Sequence, residues 1–271
     1  MNRPTPQACR RLPRAWPVPS KTLHANFYAL GAIALWATLA SLGLALKHLP
    51  PFLLTGIALV IGSVPAWPLF KQWKVPLSTL AVGIYGLFGF HFLLFIALRH
   101  APAVEANLVN YLWPLFIVVL APVILQGLKL RTAHVVAAAV GFAGAAIAIL
   151  GASSGTTGGW SWGYVPALGS AFIWASYSLM TRRIQAFPTA AIGLFGLVSG
   201  LLSLACHVVL EPAASISTND WLLLAVMGLG PLGAAFFLWD KALKLGDPRQ
   251  IGVLSYLTPL ASTVHQSPGM E

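Results

Sequence analysis

Asn107, Asn110, Tyr111 and Pro114 stand at i, i+3, i+4 and i+7 of a run that is otherwise almost wholly apolar. At 100° per residue they make one stripe along a helix, with Trp113 at its border and Glu105 pointing the other way. Amides, a phenol and an indole on one face can line a cavity and offer hydrogen bonds and ring contact to a small molecule. Pro114 also removes the amide that would bond the Asn110 carbonyl, and Pro259 does the same for Ser255. At membrane depth such carbonyls persist where they line a cavity or are satisfied by neighbours, and a kink used only for packing is the competing account. Tyr111-Leu112-Trp113-Pro114 and Tyr256-Leu257-Thr258-Pro259 repeat the arrangement, which favours the cavity.

Three tryptophans add to this stripe. Trp36 and Trp113 lie near the middle of apolar runs and Trp174 is deeper than an interfacial belt would put it. Their indole N–H groups need acceptors, supplied either by bundle packing against a Ser or carbonyl, or in the wall of a pocket for an aromatic or cationic ligand. With His91, Phe90, Phe92, Tyr111 and Tyr256 nearby in the repeat, the pocket is the favoured reading. His91, set among phenylalanines, reads as a neutral hydrogen-bonded packing residue before a proton carrier. Glu105 falls in the first turn of its helix, within reach of Arg99. Asp240 precedes Lys241 and has Lys244 at i+4, so a local ion pair is expected. With no acid at mid-membrane, ion coupling is expected to be weak, amounting to facilitated diffusion. Gly196-Leu197-Val198-Ser199-Gly200 with His207 evokes an intramembrane serine protease, but the spacing departs from G-x-S-G and GxxxG packing explains the glycines better. The Ala/Gly-rich stretch Ala137–Ala146 reads as a close helix contact and leaves a homodimer open. No catalytic pair, metal spacing or cofactor motif is evident, so neither an enzyme nor a cofactor is expected.

The elements that would position these residues are membrane helices. Charged residues are 8% of the 271, and the mean hydropathy is +0.79; a soluble fold of this size needs roughly three times that charge. Apolar runs cover Asn26–Leu46, Phe52–Phe70, Leu77–Leu98, Val104–Leu125, His134–Gly151, Trp160–Met180, Thr189–Leu210 and Trp221–Trp239, each long enough to span. Ile251–Val264 is a shorter ninth. Placing the N-terminus in the cytoplasm puts fourteen of the sixteen Lys/Arg on that side, leaving Lys47 and Arg99 outside. That positive-inside bias accounts for the net charge of +10, so lipid is the expected partner and nucleic acid is not. Residues 1–25 form a basic, Pro-rich cytoplasmic tail, and Cys9 and Cys206 cannot build a disulfide framework.

The chain also repeats itself. Ala29-Leu30-Gly31 leading to Trp36-Ala37-Thr38 returns 138 residues later as Ala167-Leu168-Gly169 leading to Trp174-Ala175-Ser176. At an offset of 145, Gly83, Phe92, Ala97 and Leu98 meet Gly228, Phe237, Ala242 and Leu243. Five spans per copy make the second copy enter from the opposite face, giving halves related by an axis in the membrane plane. Residues 26–151 form the first repeat (helices 1–5), 160–264 an incomplete second (helices 6–9), and 265–271 a polar tail, with the Ser153–Gly159 segment as the join. The fold expected is all-α integral membrane, an inverted 5+5 repeat with nine helices present and the tenth missing.

Trp36-Ala37-Thr38, Val109-Asn110-Tyr111-Leu112-Trp113-Pro114, Phe172-Ile173-Trp174-Ala175 and Ser255-Tyr256-Leu257-Thr258-Pro259 resemble the EamA-type drug/metabolite transporters, within them the bacterial aromatic amino acid exporter branch. The resemblance covers about residues 26–264. It implies a cavity lined by helices 1, 3, 4, 6, 8 and 9 in the bacterial inner membrane, exporting aromatic amino acids or flat cations by alternating access. By position it implies Trp36, His91, Asn110, Tyr111, Trp113, Trp174 and Tyr256 as substrate-binding residues, with Pro114 and Pro259 breaking helices. The chain departs from the family after Val264, which motivates an alternative: a non-transporting truncated protein, or a subunit needing a partner to complete the bundle. Carriers of phosphorylated sugars are disfavoured, since no Lys or Arg stands mid-membrane to meet a phosphate.

Overall fold

A computed structural model describes residues 19–151 and 159–266. Most of the basic tail, most of the expected join and residues 267–271 lie outside the described residues. Every described element is helical. Seven stretches are long and apolar enough to cross a membrane: Lys21–Ala45, Pro51–Trp73, Leu77–His100, Ala103–Ile124, Thr132–Leu150, Ala191–Leu210 and Thr218–Leu245. Two further legs complete nine, Tyr164–Arg183 and the pair Pro248–Leu254 with Leu257–Gln266. They are called helices 1 to 9 in chain order below, with Tyr164–Arg183 as helix 6 and Pro248–Gln266 as helix 9. Helix 6 is diluted by Ser170, Ser176, Ser178, Thr181 and two arginines because it runs through the centre, where eleven of its twenty residues are buried. Helix 5 is the opposite case, with Val136, Val140 and Ile147 exposed as a lipid-facing stripe.

Two boundaries differ from the sequence reading. The first helix begins at Pro19, so residues 19–25 are helical rather than tail; Pro fits the first turn, where its missing N–H has no partner to lose. At the other end His265 and Gln266 close the last helix rather than opening a polar tail.

The repeat visible in the sequence is repeated in the irregularities of the helices. Helix 3 opens into a π turn at Tyr85–Gly89, and helix 8 does the same at Gly230–Ala234, 145 residues on. Helix 4 breaks at Tyr111–Leu112, between Ala103–Asn110 and Trp113–Ile124, and helix 9 breaks at Ser255–Tyr256. Each break falls within one turn before Pro114 or Pro259, where the missing amide and the ring clash end the helical bonding. The Ser255 carbonyl is not free, however: it accepts the Thr258 N–H at 3.0 Å, a tighter 3₁₀-type bond. π turns widen a helix by one residue and expose carbonyls, and such bulges recur at functional sites.

Glycines set the closest approaches. Helix 7 packs on helix 2, where a Cβ on Gly200 would stand 2.9 Å from the Gly56 carbonyl. Helix 8 crosses the same helix at Gly62, which faces the Gly228 carbonyl and the Gly233 Cα. The Gly196–Gly200 segment is thus a packing seam. Ser199 on it is fully buried, and His207 lies two turns, about 12 Å, further along and pairs with Glu211, so no nucleophile–base pair forms. Part of the Ala/Gly stretch of helix 5 is likewise used within the chain: Ala138 and Ala145 pack with Tyr256, and Gly141 leaves room for that ring, while Ala137, Ala139 and Ala143 stay exposed.

Both ends of the bundle are tied by side chains. At the basic end Arg182 donates to the Gly246 carbonyl (2.6 Å) and Arg249 to that of Lys129 (2.6 Å). Burial raises the Asp247 carboxyl there, but hydrogen bonds from Arg249 outweigh it and hold the group below its ordinary value. At the opposite end Arg99, read from the sequence as a partner for Glu105, reaches Glu211 at 2.8 Å. The wholly buried Glu211 carboxylate also accepts the Phe52 and Leu53 amides (3.0 and 3.2 Å) and faces His207 at 3.0 Å. It therefore caps helix 2 while joining helices 3 and 7. Glu211→Gln is expected to destabilise the bundle by about 2 kcal/mol, since it removes the charge that two amides and a guanidinium share; thermal unfolding in mild detergent reads this out.

Candidate functional site

Four indoles meet at the centre of the bundle. Trp36 comes from helix 1, just before its break at Thr38; Trp113 follows the break in helix 4; Trp174 is mid-helix 6; Trp239 follows the π turn of helix 8. Ring centroids lie 5.2 Å apart for Trp36–Trp239, 5.6 Å for Trp113–Trp239 and 5.8 Å for Trp36–Trp174. Trp113 is 6.4 Å from both Trp36 and Trp174, nearly perpendicular to each. Phe236, Phe90 and Tyr177 extend the cluster through Trp174 at 5.4–5.6 Å. Edge-to-face geometry satisfies the ring quadrupoles, so in this conformation the indoles fill the centre with one another.

Two of the four indole donors are anchored. Trp36 Nε1 donates to the Pro231 carbonyl at 3.1 Å, a carbonyl in the π turn of helix 8, and Trp239 Nε1 donates to Ser178 Oγ at 3.1 Å. The helix 8 bulge and helix 6 thus each fix one indole of the box.

The other residues singled out from the sequence sit at graded distances from the box. His91 is buried, its ring 6.4 Å from Phe236, and Nδ1 donates to the Leu87 carbonyl at 2.6 Å, a backbone group of the helix 3 bulge. Asn110 is buried on helix 4 with its Oδ1 2.9 Å from the Ser170 hydroxyl of helix 6. Tyr111 is half-buried at the helix break. Tyr256 belongs to a separate cluster with Val118, Ala138 and Ala145, 6.4 Å from Phe142. Pro114 is buried beside Trp113, and its carbonyl faces Gly252 of helix 9.

The sequence reading missed Trp239, Phe236, Ser170 and Ser178. A signal was there: Phe236, Trp239, Asp240 and Leu243 occupy i, i+3, i+4 and i+7, and all four are buried, so this stripe of helix 8 faces inward. Asp240 does form the expected i+4 pair, with Lys244 at 2.6 Å. A cleft of about 520 Å³ opens near the basic end between helices 3, 4 and 6, with Arg183 at its mouth and the Tyr85–Ser176 hydrogen bond (2.8 Å) on its wall.

The profile of the EamA-like transporter family matches residues 23–150 and again 161–267. The chain belongs to that family. It is 41% identical over 250 residues to the aromatic amino acid exporter YddG of Ancylobacter novellus, an alignment covering 89% of this chain and 86% of that protein. It is 26% identical to the exporter of the same name from Escherichia coli K12, over 88% of this chain and 86% of that one. A crystal structure at 38% identity superposes with a TM-score of 0.84, covering 92% of this chain and 91% of the other. The chain is therefore a multi-pass membrane transporter with the EamA repeat fold. In this EamA protein the two matched segments carry equivalent features at matching positions of the repeat: a bulged third helix and a broken fourth helix in each, and one indole on the first helix of each, Trp36 and Trp174.

Proposed function

We propose that this transporter exports aromatic amino acids, or related flat amphipathic or cationic metabolites, from the bacterial inner membrane by alternating access, with its N-terminus in the cytoplasm. The observation that carries the reading is the box of Trp36, Trp113, Trp174 and Trp239 at mid-bundle, reached from four different helices. A substrate ring can replace one indole-to-indole contact at little cost, because it offers the same edge-to-face and stacked geometries. Asn110, Tyr111 and Ser170 lie a turn or less away from Trp113 and Trp174 along helices 4 and 6, and would orient the amino and carboxylate groups. Residues 26–151 and 160–264 would be the two halves that rock about this site, with the ties at either end breaking in turn. The names of the curated relatives support the substrate class. The charge distribution supports the orientation, since the basic end would face the cytoplasm.

The test is counterflow of labelled phenylalanine or tryptophan in proteoliposomes. Trp113→Ala should raise the apparent KM several-fold, the result of losing about 0.5–2 kcal/mol of ring contact. Unchanged counterflow of every aromatic substrate in that variant would remove stacking from the mechanism.

A further inference from the structure

Asp240 is one of six acids in the chain and it is buried on helix 8, immediately after the box residue Trp239. One carboxylate oxygen is crowded with partners: Oδ2 accepts from Lys244 Nζ at 2.6 Å and from Thr189 Oγ1 at 2.6 Å. The other, Oδ1, is enclosed and has no hydrogen-bond partner. A charged oxygen buried without a partner is costly, and inside a membrane protein such groups mark ion or proton pathways.

The surroundings are specific. On its own helix Asp240 has Lys244, and Lys241, whose ammonium lies over the Tyr28 ring of helix 1 at 5.4 Å. Helix 6 presents Tyr177, Ser178 and Thr181 on this side, and its Arg182 is engaged with the Gly246 carbonyl. Helix 1, which packs on helix 8, carries Lys21 and His24 near its start, and the helix 8–9 turn carries Asp247, paired with Arg249 at 3.0 Å. From the helix 6–7 connection come Thr189 and the Phe187 carbonyl, which Lys244 Nζ also grips at 2.9 Å. Asp240 and Lys244 thus hold the connection between helices 6 and 7 to helix 8 together, Lys244 Nζ also reaching Thr189 Oγ1 at 3.3 Å.

We infer that Asp240 is the proton-binding site that couples transport, its free carboxylate oxygen taking one proton in for each substrate molecule moved out. The inference rests on the export reading above and replaces the expectation of facilitated diffusion. No covalent bond changes: a carboxylate and a proton become a carboxylic acid, and the ion pair to Lys244 becomes a neutral-to-cation hydrogen bond. That exchange weakens the tie between helix 8 and the helix 6–7 connection, so protonation favours opening at this end. Trp239 rides on the same turn, so the movement reaches the box.

Proteoliposomes with the membrane potential clamped separate the possibilities. The purified transporter should drive about tenfold uphill accumulation of phenylalanine per unit of pH gradient, as one proton per substrate requires. Asp240→Asn should lose that accumulation entirely while still exchanging labelled for unlabelled phenylalanine, and Asp240→Glu should restore it in part. A gradient without effect on the unaltered protein, or accumulation kept by Asp240→Asn, overturns the assignment. Hydrogen–deuterium exchange without substrate decides the point independently of which molecule is carried. The amides of Ala191, Ile192 and Gly193, bonded to the carbonyls of residues 188–190, should lose protection several-fold on acidification in the unaltered protein, and be weakly protected at all pH values in Asp240→Asn. Protection that ignores pH in the unaltered protein rejects Asp240 as the site. Absence of any aromatic counterflow, with the exchange response intact, rejects the substrate class and leaves the proton site supported.

Discussion

Trp174→Ala is expected to abolish saturable aromatic efflux and to destabilise the bundle by about 3–5 kcal/mol, the range for emptying a buried aromatic site. Trp174 touches Trp36, Phe90, Trp113, Tyr177, Phe236 and Trp239, all with centroids within 6.4 Å, and is itself 4% exposed. No other side chain in the box has as many ring neighbours. Its loss leaves a cavity at the crossing of helices 1, 6 and 8 and removes a stacking partner from the substrate. Trp174→Phe separates the two effects. A phenyl ring refills most of the space, so thermal stability should return to within about 1–2 kcal/mol of the parent. Apparent affinity for tryptophan should nonetheless stay several-fold weaker. Alanine and phenylalanine variants that transport like the parent would mean that the box only packs.

Gly62→Val is expected to leave almost no monodisperse folded protein in mild detergent. A Cβ at Gly62 would stand 2.6 Å from the Gly228 carbonyl oxygen, 2.8 Å from that of Leu232 and 2.9 Å from the Gly233 Cα. These are backbone atoms of helix 8 at and beside its π turn, and they cannot rotate away as a side-chain tip could. Helices 2 and 8 must separate, which breaks the seam that positions Pro231 beneath Trp36. The penalty should exceed the roughly 1–3 kcal/mol of ordinary overpacking, because two methyls are added to the one already excluded. Gly144→Ala is the contrasting control: nothing lies within 4 Å of the added methyl, so folding should be unaffected or slightly improved. Equal yields for the two variants would show that the seam is looser than its geometry.

The residues that break local rules were the most legible. Pro114 and Pro259 mark their helix breaks, whereas the bulge shared by helices 3 and 8 at the offset of 145 is not legible, since no residue type in Tyr85–Gly89 or Gly230–Ala234 signals a π turn by itself. Trp36, Trp113 and Trp174 could be singled out because an indole at mid-run has no use for lipid. Trp239 escaped because it closes an apolar run beside charged residues and so resembles an interfacial tryptophan; only the i, i+3, i+4, i+7 stripe with Phe236 and Leu243 distinguishes it. Asp240 was recognised as half of a local ion pair, which is correct for Oδ2 and silent about Oδ1. The pairing of Arg99 with Glu211 bridges 112 residues, a separation that no local pattern encodes.

The sequence alone determined the environment, the helix count, the repeat and the family, because each depends on quantities summed or compared along the chain: charge content, run length, and identity at a fixed offset. It also determined which rings and helix breaks the fold would have to accommodate. Tertiary structure alone decided which of those groups meet. It brought Trp239 into the box and set Tyr256 of helix 9 apart, against helix 5. It closed the Ser255 carbonyl with the Thr258 amide and left one oxygen of Asp240 enclosed without a partner. Those outcomes follow from how helices rotate and cross when glycines let their backbones touch, and such geometry is fixed by contacts between residues far apart in the chain.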